Sequence, residues 1–327
     1  MLDTPPLIVK NSRRPGPVWK LAIALAVLVG LLVLAMIVPQ PFHGRLASAL
    51  GDMVHALAFA LLGTAGYIVG RRLGMSRLWA AGGVWLLICA FGFATEVLQR
   101  HVGRSDSWED WFNDVLGAAA GVLIGIGLEA ATRRAKAAAV TIGLVFVAAG
   151  EVDAVTRVWD YFLQQRQIPL LASFEAWREL SRWSAHDAQI QRVASHATEG
   201  GHALRVDLLP ARYPSVVLIE PPRDWSAYKE LVFDIEVVPE KCAAHSNELL
   251  KLVVKLEDLV HNGHFEDRFH KFLKLAPGKY EIRIPLSEVA AAPAGRSMDM
   301  KQIHMLQLFA LEPPRQRTFY LDHFRLE

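Results

Sequence analysis

Seven polar residues between positions 52 and 114 have the types and spacing for chemistry: Asp52, His55, Glu96, Gln99, Arg104, Asp110 and Asp114. Asp52 and His55 are three apart, as are Glu96 and Gln99, while Asp110 and Asp114 are four apart. On a helix each pair shares one face. Three chemistries suit the set. His55 with Glu96 or Asp110 would be a general base and its orienting carboxylate, activating water or a hydroxyl. Asp52, His55, Glu96 and Asp110 would together ligate a divalent ion, since carboxylates and imidazole suit Mg²⁺, Mn²⁺ or Zn²⁺. Arg104 would hold an anionic head group bidentately while the acids bind sugar hydroxyls. Ser105 and Ser107 sit in no recognisable nucleophile context, so head-group binding ranks ahead of catalysis. No residue is assigned to a metal, and no cofactor is named. The plain alternative is structural, with Asp–Arg and Glu–His pairs locking helix ends. That alternative is preferred for Arg100, Asp106, Ser107 and Glu109.

These residues sit at the ends of apolar segments. A helix needs about 20 apolar residues to cross the hydrocarbon core, and five segments qualify: Leu21–Val38, Met53–Gly70, Leu78–Leu98, Trp111–Ala131 and Ala137–Val155. The last is the weakest, because its uncharged core ends at Gly150, before Glu151 and Asp153. Leu21–Val38 reads as an uncleaved anchor, since the Ala47-Ser48-Ala49 sequence lies well beyond it, past Pro39 and Pro41. Basic residues set the orientation. With five crossings, Lys10, Arg13, Arg14 and Lys20, then Arg71, Arg72 and Arg77, then Arg133, Arg134 and Lys136 all fall on the cytoplasmic side. The polar set and the C-terminal half then face outward; four crossings would leave that half in the cytoplasm. Glu151 joins the polar set only if the last helix continues to Trp159 and Tyr161, and the expectation is that it ends earlier. Gly117, Gly121 and Gly125 form a stripe that lets a neighbouring backbone approach closely.

Composition agrees with a chain of two kinds. Hydrophobic residues make up 52% of 327, concentrated in the first half. A formal net charge of +2 and the lack of a basic, aromatic-interleaved stripe argue against nucleic acid. Cys89 and Cys242 fall in different halves, without metal-ligand spacing. From about Ser173 the period shortens. Residues 202–209, 215–221, 231–238, 248–258, 269–275, 279–286, 305–311 and 317–326 are partly alternating and rich in β-branched residues. Turn signals such as Asn262-Gly263 and Pro277-Gly278 separate them. Eight or nine short strands in about 155 residues predict a β-sandwich. Trp177, Trp183, Trp225, Tyr228 and His264 are available as sugar-facing rings, with Trp225 and Tyr228 assigned to the core. His261, His264, Asp267 and His270 sit on one hairpin, but their alternation points them to different faces.

Two resemblances carry more. DMVHALAFALLG followed by EVLQRHVGRSDSWEDWFNDVLGAAAG resembles the VanZ-like family of small bacterial membrane proteins over residues 20–130. Asp52, His55, Phe59, Glu96, Gln99, Gly103, Arg104, Asp110, Gly117 and Gly121 sit on its pattern. Asp114 departs from it, standing where the family has Asn, with Asn113 one place earlier. The resemblance implies a link to glycopeptide resistance and no agreed activity. The second half, with SFEAW, EGGHALRVDL, DWSAYKELVFDIEV and RTFYLDHFRL in order, resembles jelly-roll carbohydrate-binding modules of the galactose-binding-like type. In some of those a calcium ion joins an early acid to the last strand. Glu175 and Asp322 stand at suitable places, and both are read as plain hydrogen-bonded acids.

The expected chain is thus an α-helical membrane bundle of about five crossings followed by an all-β jelly roll. Its parts are a cytoplasmic tail (1–20), a VanZ-like membrane domain (21–134), a fifth helix and linker (135–171) and an extracytoplasmic sandwich (172–327). It would sit in the cell membrane and bind a lipid-linked or cell-wall glycan beside the lipid bilayer. The alternatives are an enzyme acting on a lipid head group through His55 and the carboxylates, and a scaffold recruiting envelope proteins.

Overall fold

The computed structural model describes residues 44–101, 108–239 and 248–327, with scattered positions between 19 and 30. Only a few positions of the first expected crossing, Leu21–Val38, are among them. Arg104 lies outside the described residues, and so do the side chains of Gln99 and Asp110.

Among the described residues four long helices precede the strands: α1 (Arg45–Arg72), α2 (Arg77–His101), α3 (Trp108–Glu129) and α4 (Arg133–Gln167). All four are long and apolar enough to cross a membrane. Their outer faces carry exposed Leu61, Leu86, Leu87, Leu144 and Val145, a pattern that suits lipid and not water. Helix α4 corrects one expectation. It does not stop near Val155 but continues through Trp159 and Tyr161 to Gln167. No glycine or proline interrupts it after Gly150, and Pro169 is the first residue whose predecessor disfavours helix.

The chain divides into two compact units. One contains Leu50–Ala154; the other contains Val155–Glu327 with the first turn of α1. Within the first, the glycine stripe of α3 lies directly on α1. A side chain at Gly117 would meet the Ala56 backbone, one at Gly121 the Ala60 carbonyl, and one at Gly125 the Tyr67 ring. Thr64 donates to the carbonyl of Gly121 at 3.0 Å, fastening the same contact. Close backbone approach is what the small residues permit.

The second unit is a sandwich of two antiparallel sheets. Its strands are β1 (Leu170–Ala172), β2 (Trp183–His186), β3 (Ala188–Val193), β4 (Ala203–Leu208), β5 (Ser215–Ile219), β6 (Glu230–Val237), β7 (Leu250–Asp258), β8 (Phe269–Leu275), β9 (Gly278–Pro285), β10 (Ile303–Phe309) and β11 (Arg317–Leu326). One sheet runs β3-β4-β11-β6-β9, with β1 added on β11; the other runs β2-β5-β10-β7-β8. The eight strands expected from alternation are β4 to β11. Strands β1, β2 and β3 precede the first expected stretch, 202–209. Asn262-Gly263 joins the true hairpin of β7 and β8. Pro277-Gly278 instead carries the chain across to β9 in the opposite sheet. Alternation fills the core: Leu204, Val206, Phe233, Ile235, Phe319 and Leu321 from one sheet face Leu218, Leu252, Val254, Leu306 and Leu308 from the other. A bulge at Asp322–His323 shifts the register of β11 on β6, after which Phe324 returns inward and stacks on Phe233 at 4.7 Å.

Candidate functional site

The helical unit brings three of the expected residues together. His55 on α1 lies 3.1 Å from Asp114 on α3, Nδ1 to Oδ1. One ligand atom each from His55, Glu96 on α2 and Asp114 lies within 4.8 Å of the others. All three are buried, Asp114 completely. The helix packing explains why. Gly92 of α2 leaves room for the Asp114 side chain, and Gly117, one turn along from Asp114, seats α3 on Ala56 beside His55. His55 thus pairs with Asp114, the residue at the departure from the VanZ-like pattern.

Glu151 completes the group, contrary to expectation. Gly150 packs near Ala56 and Asn113, so α4 closes the same end of the unit. Glu151 is 9% exposed and close enough to His55 and Asp52 to feel their charge. Among the described residues neither of its oxygens, nor Oδ2 of Asp114, has a hydrogen-bond partner. Among the described residues a histidine and three acids from four helices thus converge. Elsewhere in this unit a groove of about 410 Å³ between α1 and α2 has Leu62, Val69, Leu87 and Phe91 among its wholly apolar lining; it offers nothing polar to recognise.

The second unit carries a different polar cluster that sequence reading missed. Asp160, near the end of α4, accepts from Arg45 at 2.9 Å and from Arg182 at 3.0 and 2.9 Å. Arg182 also donates to the Leu171 carbonyl and to Gln167. Asp160 and Arg182 have no exposed surface. Their separation in sequence left no local signal.

On the outer face of the five-stranded sheet lies a cleft of about 450 Å³. Strand register builds it. Phe272, Val253, Phe309 and Ser215 stand in one row across β8, β7, β10 and β5, with His270, Lys255, Gln307 and Val217 in the next. Tyr213, Phe265, Arg268 and Leu311 wall it. Phe272, Phe265 and Tyr213 are at least half exposed. The Arg268 guanidinium lies 5.0 Å from the Phe265 ring centre, and Lys255 pairs with Glu257 at 2.8 Å. Burial, then the charge of Arg268, pushes the His270 imidazole below its ordinary value. That shift favours the neutral ring, and among the described residues Nδ1 has no hydrogen-bond partner. Exposed aromatics beside convergent polar groups are what a sugar-sized ligand needs.

The expected sugar-facing rings are elsewhere. Trp225 is fully buried, its indole donating to the Pro222 carbonyl at 2.6 Å, and Tyr228 packs against the core, both as expected. Trp183 is not available: it is buried against Phe174 and Phe324. Trp177 is exposed but outside the cleft, as is His264. His261 accompanies Glu257 and the Asp267 carbonyl, while His270 faces the cleft, so the hairpin histidines do part. Glu175 and Asp322 grip one loop from two sides. Glu175 accepts from the backbone of Gly201 and His202, Asp322 from Thr198 and Glu199. The Gly201 bond foremost holds Glu175 below its usual value, whereas burial raises Asp322.

The sandwich is similar to carbohydrate-binding modules. A family 11 module from Clostridium thermocellum, in complex with a β-1,3-1,4-mixed-linked tetrasaccharide, is 18% identical, covering 48% of this chain and 93% of its own, at a TM-score of 0.37. A family 28 module specific for non-crystalline cellulose is 13% identical, covering 49% and 94%, at 0.35. An exo-β-agarase matches at 16% over 48% of this chain and 25% of its own, at 0.37. Likeness of this degree says nothing of ligand. No family model and no curated protein matches the chain, so the VanZ-like resemblance rests on its motif.

Proposed function

We propose that the protein is a multi-pass membrane protein of the cell envelope whose sandwich binds a glycan in the cleft of the five-stranded sheet. One observation carries the reading: Tyr213, Phe265, Phe272 and Phe309 present rings around Lys255, Gln307 and His270 on a surface the fold does not use for packing. Apolar area of this kind is kept exposed where something covers it. Rings offer their faces to the C–H side of a sugar, and the amide, ammonium and neutral imidazole hydrogen-bond its hydroxyls. Among its described residues the same chain has four helices long and apolar enough to cross a bilayer, which supports a glycan that is lipid-linked or a wall polymer. The sandwich of 172–327 is then extracytoplasmic, the orientation that the arginine and lysine distribution favours. The region 21–134 is the VanZ-like part, tied through that resemblance to glycopeptide resistance.

The test is affinity electrophoresis and calorimetry of the full chain in lipid nanodiscs with peptidoglycan fragments, teichoic-type polymers and β-glucan oligosaccharides. Phe272→Ala and Tyr213→Ala are expected to weaken binding about tenfold each, the scale of one lost aromatic contact of about 1.4 kcal/mol. Binding that survives both, or no binding to any glycan, overturns the reading. A second reading, a membrane enzyme working on a lipid head group, draws on the buried His55–Asp114 contact, the geometry of a base and its orienting carboxylate. It predicts turnover of a lipid-linked substrate that His55→Ala abolishes while glycan binding persists.

A further inference from the structure

The cluster formed by His55, Glu96, Asp114 and Glu151 makes poor sense as packing. Burying an ionised carboxylate without partners is expensive, and more so in a bundle surrounded by lipid. Ordinary helix-locking pairs saturate their oxygens. Here Oδ2 of Asp114, on a residue with no exposed surface, and both oxygens of Glu151, nine-tenths buried, accept no hydrogen bond among the described residues. The donors come one from each of four helices, and three of them already place a ligand atom within 4.8 Å of one another.

We propose that His55, Glu96 and Asp114 bind a divalent transition-metal ion inside the helical unit, with Glu151 as a fourth donor. The donor set selects the class. One imidazole and several carboxylates suit Zn²⁺ or Mn²⁺, while the presence of imidazole disfavours Ca²⁺. Donors about 2.1 Å from a tetrahedral ion lie about 3.4 Å apart, so contraction of the His55–Glu96–Asp114 group by an ångström or so brings those three donors to ligand spacing. A doubly charged ion would also offset the negative charge of Asp114 and Glu151, whose free oxygens accept no hydrogen bond among the described residues. The ion would tie α1, α2, α3 and α4 at one end, adding to the glycine-mediated contact of α1 with α3. Asp114 gains a purpose by this reading: an amide at that position would supply a weaker ligand than a carboxylate does.

The experiment uses the full chain with a histidine-free tag in nanodiscs. The protein is stripped with EDTA, equilibrated with Zn²⁺ or Mn²⁺, desalted, and its metal content and thermal midpoint are measured. The wild type is expected to retain about one ion per chain and to unfold at a higher temperature than the stripped form. Asp114→Asn and Glu151→Gln are expected to bind at least tenfold more weakly, each with an unchanged helical circular-dichroism spectrum. Asp153→Asn, two residues from Glu151 on the same helix, is expected to bind as the wild type does. The proposal is overturned if the wild type retains neither ion, or if the helical Asp114→Asn and Glu151→Gln proteins retain as much as the wild type. Glycans take no part in the assay, so this site and the sheet cleft can fail separately.

Discussion

Two buried carboxylates in this protein, Asp160 and Asp114, look alike in sequence and differ in what surrounds them. Both lie on long apolar helices and both are fully buried. Asp160 spends both oxygens on two guanidinium groups, and every guanidinium nitrogen of Arg182 is in turn used, by Asp160, the Leu171 carbonyl and Gln167. Asp114 touches one imidazole through one oxygen and leaves the other unpartnered, with a second unpartnered acid, Glu151, in the same cluster. A saturated, charge-paired cluster is a joint: it fixes the first turn of α1, the end of α4 and the base of the sandwich with respect to one another. An unsaturated one is a socket. The difference separates structural from functional burial without reference to any relative.

The contrast predicts opposite responses to removing charge. Asp160→Leu is expected to give the largest loss, about 3–5 kcal/mol, because it strands a buried arginine; thermal unfolding of the full chain measures it, and a loss under 1 kcal/mol would mean the joint carries no load. Gly121→Ala comes next. Its Cβ would meet the Ala60 carbonyl, and overpacking of that kind costs about 1–3 kcal/mol. It should also lower metal retention, since α1 and α3 carry His55 and Asp114. Glu151→Gln is expected to behave in the reverse sense. In chelator it should raise stability by about 1 kcal/mol, the cost of a buried group without partners being relieved, while abolishing the gain that Zn²⁺ brings. A destabilised Glu151→Gln in chelator would show that Glu151 belongs to a joint after all.

How much of this was legible beforehand follows the same division. Local pattern gave the described crossings and β4 to β11, because apolar length and alternation are properties of neighbours in sequence. It also placed Asp52, His55 and Glu96 at helix ends facing one region, since i, i+3 spacing fixes a face. What it could not reach was pairing. Asp114 meets His55 because Gly117, one turn further on, sets the depth of α3 against α1. Glu151 joins because α4 runs on without a break, a point that hydropathy alone put in doubt. Arg45, Asp160 and Arg182 come from three distant stretches and have no motif. The cleft aromatics were missed for a simpler reason. Phe272 and Phe309 sit in strands that read as core, and only the register of β7, β8 and β10 shows that they stand on the outer face with Lys255 and Gln307, whereas Trp183, kept among the available rings, fills the interior.

A third carboxylate sharpens the comparison with the smallest effect. Asp267, in the loop before β8, is saturated like Asp160, by the Arg296 side chain and the Asn262 backbone N–H, with His261 adjacent. The Arg296 bond foremost holds its carboxyl down, to about 2. A carboxylate whose folded value lies below its unfolded value of about 3.9 binds fewer protons folded than unfolded across that interval. Its contribution is therefore complete above pH ~4 and is lost as pH falls toward 2. Asp267→Asn should remove that part of the acid limb and leave the pH 5–8 region parallel to the wild type, as read from midpoints of thermal unfolding between pH 2 and 8. Arg296 also holds Asp258 through two bonds, so Arg296→Met should flatten the same limb more than Asp267→Asn does. Identical acid limbs in all three proteins would mean that saturation by hydrogen bonds does not distinguish a joint from a socket, and the contrast between Asp160 and Asp114 would lose its physical basis.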